Sequence, residues 1–224
     1  MKKLLLTTAA LAIVTGALAQ GTVQFNTRLT AGSPPYYTQV FAPEPGNPGV
    51  QRTGNTALNL PAGTQTYGGA PLTGNAWTAQ LFSLPGSTIP VGPVTSYGVL
   101  LTDTLVGQAA TTTFRTGTSF GSVAGITATL QNVLPDAPNA VLQMRVFPTS
   151  FGSWANAVAA FNSADSLAFL GASPMFVVNL IGGSVNLPPQ LTGVSFSMVA
   201  APEPSSFALA GLGMASLLIF RRRK

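Results

Sequence analysis

The apolar positions fall in short runs rather than in helical stripes. Leu142, Met144 and Val146 alternate with Gln143 and Arg145, and Trp77, Ala79 and Leu81 alternate with Thr78 and Gln80. A period of two marks a strand with one face buried and the other wet. Segments rich in Val, Ile, Thr, Phe and Leu recur between turns that hold Gly and Pro. They predict strands over 22–25, 77–84, 97–101, 111–114, 126–130, 140–147, 174–180 and 193–198. The fourth and fifth flank a loop, 115–125, with three glycines. No crossover helices separate these strands, so the fold class is all-β, an antiparallel β-sandwich or a jelly-roll-like body. One short helix fits within 155–169, with Ser153 placed to cap its start. Residues 31–76 read as loop-rich. Pro34, Pro35, Pro43, Pro45, Pro48, Pro61 and Pro71 interrupt any long element there and leave room for one or two edge strands at most.

Two longer apolar runs lie at the ends. Lys2 and Lys3 precede an apolar run over 4–14, and Ala17 and Ala19 form a small-x-small site ahead of Gln20. That order is the order of a signal peptide, here 1–19, with Sec-type export machinery and signal peptidase as the implied partners. The exported β-rich domain then spans 20–200. At the other end, Pro202, Glu203 and Pro204 precede Ser205, Ser206 and an apolar run over 207–220, a helical segment of 205–220 in all, and Arg221, Arg222, Arg223 and Lys224 close the chain. Sixteen residues make a helix of about 24 Å. That is slightly short of the roughly 20 residues of a full span. Gly211, Gly213 and the alanines around them suit a membrane helix, and four cations hold the cytoplasmic side. The predicted topology places the body outside the inner membrane, with the C-terminal helix as a transient membrane segment.

Charge changes little in this picture. The net charge of +5 arises at the two ends, because between residues 20 and 200 four arginines face four acids. Charged residues make up 7% of the chain, against about 25% in ordinary soluble domains. With no basic face or stripe, nucleic acid is excluded as a partner. Histidine and cysteine are both absent. Zinc sites of the Cys/His type, thiol nucleophiles and His-based triads are therefore excluded.

The remaining chemistry is sparse. Gly117-Thr118-Ser119-Phe120-Gly121 matches G-x-S-x-G in letters. A nucleophile elbow needs a histidine base and a following helix, so a Gly-rich connection is the better reading. Glu44, Asp103, Asp136 and Asp165 are the only acids of the body, and no spacing pairs two of them for glycoside hydrolysis. Asp136, ahead of Ala137-Pro138, reads as a turn former. No acidic calcium loop occurs, which leaves open only a site of one Asp with backbone carbonyls. No cofactor, no metal and no catalytic residue is implied. Tyr36, Tyr37, Tyr67, Tyr97, Trp77 and Trp154 are the rings able to stack on sugars. For the tryptophans the core is the weightier expectation, whereas Tyr36 and Tyr37 follow two prolines and are expected nearer the surface.

Pro-Glu-Pro, an apolar helix and an Arg-rich end together resemble the PEP-CTERM sorting signal of Gram-negative bacteria, here over 201–224. The resemblance implies that Pro202, Glu203 and Pro204 are read by an exosortase-like transpeptidase. It further implies that the tail is removed, that the protein passes to the cell surface or beyond, and that exopolysaccharide is a partner. Gly21–Asn26, Ala79–Phe82, Phe114–Gly117, Leu142–Val146, Pro188–Leu191 and Ser195–Ser197 also resemble a verrucomicrobial subgroup of these proteins. The stretch 151–169 departs from it, being richer in Ala and Asn. The function expected is that of an exported, non-catalytic cell-surface or matrix protein. The alternatives are a secreted carbohydrate-binding or, less readily, carbohydrate-modifying module, and a permanently inner-membrane-anchored periplasmic domain.

Overall fold

The computed structural model describes residues 20–29, 35–90, 105–191 and 193–201. The signal peptide with Ala17 and Ala19, the sorting motif, the C-terminal helix and the basic end all lie outside these residues, as do Tyr97, Asp103 and the strand expected over 97–101. Among the described residues no helix is long and apolar enough to cross a membrane.

The body is mostly β, with antiparallel ladders. In chain order it comprises β1 (Gly21–Phe25), β2 (Arg28–Leu29), β3 (Tyr36–Tyr37), β4 (Val40–Phe41), β5 (Trp77–Pro85), β6 (Val106–Thr112), β7 (Ile126–Leu130) and β8 (Asn139–Pro148). The helix α1 (Trp154–Asn162) follows, then β9 (Phe169–Ala172), β10 (Phe176–Asn179), β11 (Phe196–Ser197) and β12 (Val199–Ala200). The largest sheet runs β12-β9-β8-β5-β6, with β10 also on β8. β5 and β8 pair without a slip from Trp77↔Pro148 to Pro85↔Ala140. On its other edge β8 meets β9 through Arg145↔Ala172, then β10 through Leu142↔Phe176. One extra residue lies on the β9–β10 side of this ladder. Pro174 has no N–H to give it, and Ser173 closes the gap: its Oγ accepts the Met144 N–H at 3.0 Å.

Apolar residues collect on both faces of this sheet. Leu81, Leu142, Met144 and Val146 meet Val23 and Phe25 of β1, Leu130 of β7, and Phe196 of β11 in one core. Val141, Phe147 and Leu170 meet Trp154, Ala157 and Phe161 of α1 in a second. Three, four and seven residues apart, the helix side chains share one stripe, and Ser153 caps the start by accepting from the Asn156 N–H at 3.2 Å.

One expectation is corrected here. Gln143 and Arg145 were expected on a wet face, yet they are 0% and 4% exposed because α1 lies over that face. The Arg145 guanidinium sits 3.9 Å from the Phe82 ring centroid and 5.3 Å from that of Trp154, and its Nε donates to Gln143 Oε1 at 2.8 Å. The short helix expected within 155–169 is found at Trp154–Asn162 with its Ser153 cap, and Phe169 opens a strand.

Candidate functional site

The loop-rich segment builds a sizeable hollow. Strands β3 and β4 lie within it, and a polar network closes it. The Gln39 N–H donates to Ser195 Oγ at 2.8 Å, Ser195 Oγ donates to Asn59 Oδ1 at 2.9 Å, and Asn59 Nδ2 donates to Gln39 Oε1 at 3.2 Å. All three residues are buried. Tyr67 stacks flat on Phe41 with 4.0 Å between centroids, and its one phenolic proton is shared between the Gly54 and Ser195 carbonyls at 2.7 and 2.9 Å. Desolvation, and after it the Glu44 carboxylate, holds the Tyr67 pKa well above the ordinary 10.0. Glu44 is itself buried and takes the Arg52 Nε at 3.5 Å and the Gly68 N–H at 3.1 Å.

Above this floor lies a cleft of about 350 Å³, with Gln39, Phe41, Leu58, Gln65, Tyr67 and Phe120 in its walls. None of its lining residues is charged. One wall comes from the G-x-S-x-G string. Ser119 stands in a short 3₁₀ turn, Gly117–Ser119, where its hydroxyl accepts from Arg28 Nη1, and no helix follows it. Gly121 (φ 80°) is needed for close approach: a Cβ there would stand 2.9 Å from that of Gln39. The string is thus a packed connection that puts Phe120 at the rim.

The ring residues singled out from sequence do not form one groove. Trp154 is 8% exposed and meets Phe82 and Phe147 edge-on at 6.1 Å, inside the second core. Trp77 packs beside the first core, edge-on to Phe169 at 5.8 Å. Tyr36 points inward, with its hydroxyl 3.1 Å from Thr38 Oγ1, and desolvation pushes its pKa to about 12. By area both Tyr36 and Tyr37 are half-buried. Tyr37 faces the other way, beneath the Arg28 guanidinium at 5.5 Å, and donates to the Phe120 carbonyl at 3.4 Å beside the cleft. Phe120 was missed as a site residue, because its letters belong to a glycine string that reads only as a linker.

The acids have local duties. Asp136 accepts from the Ser184, Val185 and Asn186 N–H groups at 2.9, 3.0 and 2.7 Å, and from Ser184 Oγ at 2.8 Å. These bonds, that of Asn186 foremost, hold its pKa below the ordinary 3.8. Asp165 Oδ1 caps the Leu167 N–H at 2.9 Å. Among the described residues no three acids gather as a metal cluster would require.

The other functional feature lies at the last described residues of the body. Met198 donates its N–H to the Phe41 carbonyl, Ala200 to Pro48 and Ala201 to Ala168, each at 2.8–3.0 Å. Pro202 follows, with no N–H to extend the pattern. Residues 200–224 match the PEP-CTERM protein-sorting motif, which implies export, processing by exosortase-type machinery and sorting to the cell surface. The match covers 200–224 alone, so the likeness to a verrucomicrobial subgroup stands without support from it. No characterised protein and no solved structure matches the chain.

Proposed function

We propose that this chain is an exported, non-catalytic protein of the cell surface or extracellular matrix. It enters the Sec-type pathway by residues 1–19, pauses in the inner membrane on its C-terminal helix, and is released by an exosortase-like enzyme acting at Pro202, Glu203 and Pro204. The observation that carries this reading is the matched motif, which spans 200–224 and starts at the last residue of β12, itself paired with β9. A cut at or beyond the tripeptide leaves every ladder of the described residues in place, β12 included, and the β-sandwich-like body is then cargo that survives its own processing. Exopolysaccharide is the proposed partner, a choice supported by a body whose charges cancel and by a cleft without charge.

The test is the intact mass and both terminal peptides of the native protein from separated inner-membrane, outer-membrane and extracellular fractions. A species that starts at Gln20, ends near Pro202–Pro204 and sits outside the inner membrane is the expected result. Retention of Arg221–Lys224 in the inner membrane would instead make the helix a permanent anchor.

The cleft favours a second reading, a carbohydrate-binding module. An uncharged hollow with Tyr67 and Phe120 in its walls suits the apolar face of a neutral sugar. Calorimetric titration with neutral oligosaccharides should then show saturable binding that Phe120→Ala weakens at least several-fold. Heat no greater than dilution for every neutral glycan tried would remove this reading and leave the sorting reading untouched.

A further inference from the structure

We propose that Gln20, once it becomes the first residue of the exported body, closes on its own amine to form pyroglutamate, and that the ring protects β1 from aminopeptidases. The proposal rests on cleavage after Ala19 and goes beyond it. In the precursor the Gln20 nitrogen is an amide acylated by Ala19, and it is no nucleophile. Cleavage converts it to an α-amine with an ordinary pKa of about 7.7–8.0, so free base is present near neutral pH. That nitrogen attacks the side-chain Cδ. The N–Cδ bond forms, the Cδ–Nε2 bond breaks, and one amine proton leaves with the departing ammonia. No oxidant, metal or second substrate is needed.

The fold leaves this reaction unhindered and gives it a consequence. Gln20 is exposed, and its side chain makes one long hydrogen bond, from Nε2 to the Gln131 carbonyl at 3.4 Å. Losing that amide group costs the body nothing buried. The next residue is already fixed: the Gly21 N–H donates to the Val133 carbonyl at 2.8 Å, and Gly21 pairs with Leu130. A Cβ on Gly21 would stand 2.5 Å from Ile181 Cγ2 and 2.8 Å from the Leu134 carbonyl oxygen. The chain therefore enters the body at Gly21, and Gln20 is the last residue with a side chain free to fold back. Val23 and Phe25, both fully buried, follow at once. An exopeptidase starting from a free amine would remove residues from the strand that carries them, whereas the lactam offers it no amine.

The experiment is peptide mass spectrometry and Edman sequencing of the native protein from the extracellular and surface fractions, alongside a Gln20→Ala variant. An N-terminal peptide lighter by one ammonia than the Gln20 peptide, blocked to Edman chemistry and opened by pyroglutamyl aminopeptidase, is expected. Gln20→Ala should keep an open terminus and a wild-type circular dichroism spectrum, yet be trimmed by a broad aminopeptidase under conditions that spare the wild type. A Gln20 terminus that keeps its amine after prolonged incubation at neutral pH would overturn cyclisation while leaving the cleavage reading standing. A terminus elsewhere would overturn both.

Discussion

Asp136 shows how a single carboxylate organises this protein. Its backbone has φ 56°, in the left-handed region, and Leu180, in the segment it faces, has φ 54°. A non-glycine residue there is strained by about 1–3 kcal/mol and persists only where its surroundings hold it. The carboxylate supplies that hold by drawing the N–H groups of Ser184, Val185 and Asn186 onto one anion. Because its pKa is lower folded than unfolded, its stabilisation is present above the ordinary 3.8 and is lost as pH falls through the folded value. Asp136→Asn should therefore melt lower at pH 7, since an amide nitrogen now faces backbone donors, and it should lose part of the wild type's acid sensitivity. Thermal melts from pH 7 to 2 check both effects. Tyr36 gives the mirror case. Its pKa is raised from 10.0 to about 12, so the unfolded chain ionises first. Stability should decline as pH rises from 10 to 12, and Tyr36→Phe should flatten part of that decline by removing the group that ionises.

The helix α1 is held by burial more than by its cap, and two substitutions separate the contributions. Ser153→Ala removes the bond to the Asn156 N–H and should cost about 1 kcal/mol. Trp154→Ala empties a site between Phe82, Phe147 and Arg145 and should cost about 3–5 kcal/mol. Urea unfolding of the two variants tests the ranking, and equal losses would contradict it. Elements of this kind were legible in the sequence wherever one residue type dominated a face. The cores of β5 and β8 follow from alternation, β1 and the span 126–130 from runs of β-formers between turns, and Ser153 announced its helix. What alternation cannot tell is whether the polar face of a strand meets water or another layer. Gln143 and Arg145 look solvent-facing in one dimension and are covered in three. The segment 35–76 is loop-rich with two short strands, as read, but the sequence does not show what orders it. Its order comes from Gln39, Asn59 and Ser195, residues far apart in the chain and individually typical of loops, which satisfy one another only when folded. Strand β9 hid in an alanine-rich stretch because its pairing with β8, not its own propensity, makes it a strand.

At the scale of the whole molecule, the decisive relation is between the folded body and the sorting tail, and it yields a sharp expectation. Strand β12 pairs with β9 through Val199↔Leu170 and Ala200↔Phe169, and Val199 is 0% exposed in the core beneath α1. Ala201 still bonds back to Ala168, whereas Pro202 has no proton to offer. A body ending at Ala201 keeps β12 and its pairing with β9, and the proposed cut at Pro202–Pro204 predicts that it folds and melts as the longer one does. Removing three further residues is a different matter. A body ending at Met198 loses the burial of Val199, about 1.5–3 kcal/mol, leaves the β9 edge unpaired and uncovers part of the second core. Melting the two truncated bodies from residue 20 onward makes the comparison direct. If both lost stability equally, the tail would belong to the fold and a processing enzyme could not remove it harmlessly. If only the shorter body weakened, the boundary of the fold and the start of the sorting tripeptide would be adjacent, and a transpeptidase reading Pro202, Glu203 and Pro204 could release an intact domain.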